Sequence, residues 1–135
     1  MPSIFTRIIQ GEIPSYKIYE DEKVYAFLDI HPIQLGHILV VPKAEISDIL
    51  DMTDEQLSSL MLTAKNIIAP ALKKATNCER VGFSVEGLGV KDHMHLHLIP
   101  LYRIGDFNPD NAHTETPENM TAIAEKIRSE IGKMI

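Results

Sequence analysis

Residues 93 to 100 read His93-Met94-His95-Leu96-His97-Leu98-Ile99-Pro100, histidine alternating with apolar residues. Alternation at period two is the pattern of an extended strand, whose successive side chains point to opposite faces. One face then carries His93, His95 and His97, and the other carries Met94, Leu96 and Leu98. The run therefore commits the chain to a sheet, one side of which another layer must cover. The preceding run, Arg80–Glu86, also alternates, with Val81, Phe83 and Val85 against Gly82, Ser84 and Glu86. Gly87-Leu88-Gly89-Val90-Lys91-Asp92 joins the two runs, and together they predict an antiparallel hairpin.

The remaining elements supply strands and cover. Ile4, Phe5, Ile8 and Ile9 ahead of Gly11 and Pro14 fit one short amphipathic helix closed by Gly11. Lys17–Glu20 and Lys23–Leu28 read as two strands around a turn at Asp21-Glu22. In Gly36–Pro42, four consecutive aliphatics between Gly and Pro fit a strand covered on both faces. A long central helix begins at Thr53, which has capping-box spacing to Gln56, and its apolar stripe runs from Leu57 to Ala75. Pro70 lies inside it and predicts a kink. Gly105–Pro117 reads as surface loop, and a C-terminal helix follows over about 117–134, with Met120, Ile123, Ala124, Ile127 and Ile131 on one stripe. The class expected is α+β with an antiparallel sheet, in a single domain spanning 1–135.

Thirteen Lys plus Arg against nineteen Asp plus Glu leave a net charge of −6. That balance argues against a protein that holds nucleic acid through its phosphates, but leaves room for a small anionic ligand in a local pocket. The single cysteine, Cys78, excludes an internal disulfide framework and a cysteine-only metal cage. No stretch approaches the roughly 18 apolar residues of a membrane span. Residues 1–7 lack a basic region followed by an apolar one. A cytoplasmic protein with no membrane partner is expected.

Packing accounts for one core histidine; it does not call for three on one face. Two chemistries fit the array. Imidazoles bind zinc, copper and nickel, and two rings of a His-x-His strand can converge on a metal with bonds of about 2.0–2.1 Å. A third ring would need strong bending, and His31, His37 or His113 could complete such a site. Alternatively, a neutral imidazole attacks phosphorus well near pH 7, with adjacent histidines disfavouring each other's cationic forms. Other rings would then offset phosphoryl charge and move protons, without metal or cofactor.

The alternating run resembles the signature of the histidine triad (HIT) family, His-φ-His-φ-His-φ-φ with φ apolar. Further matches follow that family in order: Ile4-Phe5-x-x-Ile8-Ile9-x-Gly11-Glu12-Ile13-Pro14, Tyr19-Glu20-Asp21, Ala26-Phe27-x-Asp29-Ile30-x-Pro32 and Gly36-His37-x-Leu39-Val40-Val41-Pro42-Lys43. The resemblance covers roughly residues 3–100. It implies a five-stranded antiparallel meander with helices, paired into a homodimer. It also implies transfer or hydrolysis of nucleotidyl groups at the α-phosphorus of nucleoside phosphoramidates, aminoacyl adenylates or dinucleoside polyphosphates, with purines favoured. By resemblance His95 is the nucleophile, His97 contacts phosphate and leaving group, His93 supports the array and His37 is a fourth histidine near the site. Phe5, Ile8, Phe27 and Ile30 match positions that line the base pocket, and Asp29 matches a carboxylate that holds ribose hydroxyls. Read from composition alone, the four apolar residues would be core and Asp29 a turn former.

The chain also departs from that family. Many relatives carry Asn-x-Gly on the first hairpin strand and Gln-Ser or Gln-Thr shortly before the first histidine. Here Val85 stands at the Asn position, and Gly89 and Val90 stand where the Gln and hydroxyl residue would be, after a shorter loop. Ser84, backbone N–H groups around Gly87 and Gly89, or Lys91 are the candidates to replace those contacts. The Cys-x-x-Cys portion of a structural zinc site, found near the N-terminus of some relatives, is absent. These departures keep a second reading open, a nucleotide-binding sensor or partner-binding dimer with little activity.

Overall fold

The computed structural model describes residues 2–135. Helix α1 (Ile4–Ile9) is capped by Ser3, whose side chain accepts from the Thr6 amide, and Gly11 beyond its end takes a φ of +82°. Strands β1 (Lys17–Glu20), β2 (Val24–Leu28) and β3 (Ile38–Pro42) follow. Helix α2 (Asp54–Thr63), a π-helical segment (Ala64–Ile68) and helix α3 (Ala69–Thr76) run on continuously. Strands β4 (Arg80–Ser84) and β5 (Leu96–Leu101) precede the last helix, α4 (Pro117–Gly132). Among the described residues no helix is long and apolar enough to cross a membrane.

All five strands form one antiparallel sheet in the order β1-β2-β3-β5-β4. The order departs from a simple meander at one point. After β3 the chain passes through α2 and α3, enters the sheet at its far edge as β4, and turns back so that β5 lies beside β3. The histidine-bearing strand therefore has neighbours on both sides while β4 forms an edge.

Strand β3 is buried along its whole length, as its aliphatic run predicts. Its residues divide between two cores. Ile38 and Val40 join Leu96, Leu98 and the stripes of α3 and α4 in the larger one. Leu39 and Val41 face the other side, with Phe5, Ile8, Tyr25 and Phe27, beneath α1. The register sets Ser84, His97, Leu39 and Phe27 in one row across β4, β5, β3 and β2. Cross-strand partners share a face, so this row lies on the α1 side.

The capping box at Thr53 and Gln56 is formed in both directions, at 3.1 and 2.9 Å. The π-helical segment stands just before Pro70 on the long helix. Pro70 has no N–H for the Asn66 carbonyl, and the Ala69 amide bonds back five residues to Ala64.

Two strand expectations need correction. The first hairpin strand ends at Ser84 rather than Glu86, and Phe83 and Val85 are 37% and 36% exposed instead of facing a core. Phe83 lies on the edge strand and Val85 just past its end. The second strand begins at Leu96 rather than His93. The Met94 amide donates to the Ile46 carbonyl and the His93 ring reaches the Pro42 carbonyl, so residues 93–95 pair with the chain leaving β3 and not with β4.

Candidate active site

A cleft of about 490 Å³ opens on the α1 side of the sheet. Phe5 and Ile8 of α1, Phe27 of β2 and Leu39 of β3 form its apolar walls, and Asp29, His95 and His97 supply polar groups. Phe5 packs edge-on against Phe27 at 5.5 Å between ring centroids and against His95 at 5.0 Å. His95 and His97 stand 5.0 Å apart, and His37 lies 5.1 Å beyond His97.

Hydrogen bonds determine where each ring holds its proton. A carbonyl oxygen can only accept and an amide N–H can only donate, so each backbone contact identifies one ring nitrogen. His95 Nδ1 lies 3.0 Å from the His93 carbonyl and must carry the hydrogen, which leaves Nε2 with a lone pair. The Ile33 amide donates to His37 Nδ1 at 3.1 Å, so in neutral His37 the hydrogen is on Nε2. That Nε2–H donates to His97 Nδ1 at 2.9 Å, which places the His97 hydrogen on its own Nε2. His97 Nε2 is the one buried side-chain nitrogen or oxygen without a partner among the described residues. Two neighbouring rings thus present opposite functions, an acceptor on His95 and a donor on His97.

Burial disfavours the charged forms of His37, His97 and His93. Desolvation pushes His37 from 6.5 down to about 4, against the attraction of Asp29 and with further lowering from His97. Asp29 Oδ2 lies 3.7 Å from His37 Nε2, but a histidine buried this deeply is uncharged near pH 7, so the contact is no ion pair there. Desolvation likewise lowers the His97 pKa, with His95 adding to the effect and Asp29 and Glu86 opposing it. His93 is lowered by burial too, opposed by its bond to the Pro42 carbonyl.

Asp29, His37 and His97 bring ligand-type atoms within 4.8 Å of one another. A metal there would need the lone pair of His37 Nε2. That nitrogen carries the hydrogen as long as Nδ1 accepts from the Ile33 amide, so the trio as arranged does not fit a metal.

A family model described as the HIT domain matches residues 10–104. The chain belongs to the HIT family. It is 42% identical over 113 residues to the "Protein hit" of Bacillus subtilis, covering 76% of this chain and 73% of that one. It is 38% identical over 104 residues to a Candida albicans protein named adenosine 5'-monophosphoramidase, covering 72% and 68%. The crystal structure of a HIT-like protein of Bartonella henselae superposes with a TM-score of 0.81 at 32% identity, covering 95% of each chain.

Within this HIT structure the expected site residues fall into three groups. Phe5, Ile8, Phe27, Asp29, His95 and His97 meet at the cleft, and His37 joins them through His97. Ile30 reaches only the rim, 61% exposed. His93 and Ser84 are not in the cleft. His93 is wholly buried between Ser3 and the Pro42 carbonyl, so the array does not show three open rings. Ser84 stands opposite His97 but lines an adjoining hollow with His37 and Phe107. Of the other candidates for the missing Asn and Gln contacts, the Leu88 and Gly89 amides turn to the Glu86 carboxylate at 3.0 and 3.5 Å. Lys91 borders a separate hollow that reaches His95. Sequence reasoning passed over Leu39, His31, Glu86 and Val90 as lining residues. The aliphatic run offered a signal for Leu39, the family position for Val90 and the parity shared with Ser84 for Glu86, whereas the loop position of His31 offered none.

Proposed function

We propose that this HIT protein is a nucleotide hydrolase or nucleotidyltransferase that cleaves nucleoside phosphoramidates, aminoacyl adenylates or dinucleoside polyphosphates at the α-phosphorus. The observation that carries the reading is the unprotonated Nε2 of His95 facing the cleft beside the Nε2–H of His97. His95 Nε2 forms a bond to phosphorus as the phosphorus–leaving-group bond breaks, and the leaving group departs with the electron pair, an amine leaving with a proton taken up from solvent. The ring becomes cationic as its lone pair is used, and the His93 carbonyl accepting from Nδ1–H offsets that charge. His97 Nε2–H donates to the phosphoryl group and meets the charge developing there. Water then attacks phosphorus and gives up a proton to solvent as the bond to Nε2 breaks, the electron pair returns to the ring, and the nucleoside monophosphate leaves.

The apolar walls suit a purine ring. Asp29 Oδ1 accepts from the His31 amide at 2.9 Å, which orients the carboxylate for ribose hydroxyls. The relative named adenosine 5'-monophosphoramidase supports a phosphoramidate substrate. The edge strand β4, with Phe83 and Val85 exposed, and the apolar Tyr102, Ile104 and Phe107 after β5 support a homodimer. A cytoplasmic location belongs to the same reading.

Incubation with adenosine 5'-phosphoramidate tests it. AMP should form, chelator should leave the rate unchanged, and mass spectrometry should capture a nucleotidyl adduct that His95→Asn abolishes. A His95→Asn protein as fast as the wild type would overturn the assignment. Tight AMP binding without turnover of any conjugate would favour the sensor.

A further inference from the structure

Behind the triad, away from the cleft, polar groups from the start of α1, the segment after β3 and the segment before β5 close on one another. One Glu45 carboxylate oxygen accepts from the Ser3 amide at 2.6 Å and from the Thr6 hydroxyl at 2.8 Å. The Thr6 amide donates to Ser3 Oγ at 3.0 Å, and Ser3 Oγ lies 2.7 Å from His93 Nδ1. His93 Nε2–H donates to the Pro42 carbonyl at 2.7 Å. Ser3 and His93 are 1% and 0% exposed.

The directions in this cluster follow one from another. An ionised carboxylate only accepts, so Thr6 spends its hydroxyl hydrogen on Glu45 and has none for His93, 3.4 Å away. Ser3 Oγ already accepts from the Thr6 amide, and its one hydrogen has two acceptors in reach, Thr6 Oγ1 at 3.2 Å and the nearer His93 Nδ1 at 2.7 Å, to which it donates. His93 is thereby pinned at both ring nitrogens in a single neutral tautomer. Its carbonyl, held in place with it, keeps the hydrogen of His95 on Nδ1.

The same contacts hold α1. A helix of six residues has no stability of its own, yet it supplies Phe5 and Ile8 to the cleft wall. Glu45 sits at its positive end and is held below the usual carboxylate range by the Ser3 and Thr6 hydrogen bonds.

We infer that Glu45, Ser3 and Thr6 act as one clamp that docks α1 against the triad and, through His93, fixes the tautomer of His95. They are positioning residues, and their effect on rate rests on the reaction proposed above. Loss of one such hydrogen bond should lower kcat for AMP release about tenfold, equivalent to about 1.4 kcal/mol.

The test pairs kinetics with the imidazole nitrogen spectrum of the full-length protein, in Ser3→Ala, Ser3→Thr and Glu45→Gln. Glu45 is exposed, so Glu45→Gln should fold even if Ser3→Ala does not. Ser3→Ala and Glu45→Gln should each reduce kcat about tenfold, and together no more than the worse of the two. In both, His95 should change from one Nδ1–H tautomer to a mixture, and Ser3→Thr should restore rate and spectrum. A single unchanged His95 tautomer in Glu45→Gln, with kcat within about twofold of wild type, would overturn the inference. The spectrum reads the tautomer without substrate, so failure of the clamp is distinguishable from failure of the proposed reaction.

Discussion

Replacing His37 by glutamine should flatten the acid limb of this protein's stability. His37 is 2% exposed, and its pKa falls from 6.5 to about 4 because burial opposes the charged ring. Between those values the unfolded chain binds a proton at this residue and the folded chain does not. Stability therefore rises with pH across the window, is complete above about 6.5, and is lost as the pH falls toward about 4. At about 1.36 kcal/mol per pH unit, the drop from 6.5 to about 4 amounts to about 3 kcal/mol. His93 and His97, also lowered by burial, add slope of the same sign, so the informative quantity is the difference between the two proteins. Glutamine does not titrate, and its amide can still donate toward His97 Nδ1. Urea unfolding at pH 7.5 and at pH 4.5 measures the effect. Wild type should lose between about 2 and 3 kcal/mol more than His37→Gln on acidification. Equal losses would mean that residue 37 takes up its proton without penalty, and the neutral, hydrogen-relaying His37 would have to be abandoned.

Three further outcomes can be checked separately. Asp29→Asn keeps an oxygen for the His31 amide but removes the charge proposed to face the ribose. It should raise KM for adenosine 5'-phosphoramidate about tenfold, and the penalty for a 2'-deoxy substrate should shrink by a similar factor. Gly36→Ala should cost about 2 kcal/mol in urea unfolding, since residue 36 has a φ of +100° and an added Cβ would lie 3.3 Å from Leu72 Cδ1. Phe83→Asp should give a monomer in size-exclusion chromatography with light scattering, because it places a charge on the exposed edge strand proposed to pair.

Local patterns were legible where local physics decides. The capping box at Thr53, the two-sided burial of Ile38–Pro42 and the stripe of α4 all appear where spacing places them. Patterns misled where a neighbour decides. Val81, Phe83 and Val85 alternate as a core-facing strand would, yet only Val81 packs against the core, because β4 lies at the edge. His93 alternates with His95 and His97, yet its ring is enclosed between Ser3 and the Pro42 carbonyl and sealed from the cleft. Ser84 has the parity of the site face but lines the hollow beside it.

The amino-acid order alone determined the α+β class, the sharing of one side by His95 and His97, and membership of the HIT family, since periodicity and short motifs are properties of neighbouring residues. The states of the His93 and His97 rings came from the tertiary structure. The partners that set His93 and His97 lie 90, 51 and 60 residues away along the chain. A tautomer is chosen by the donor or acceptor facing the nitrogen, and only the folded chain brings those groups together.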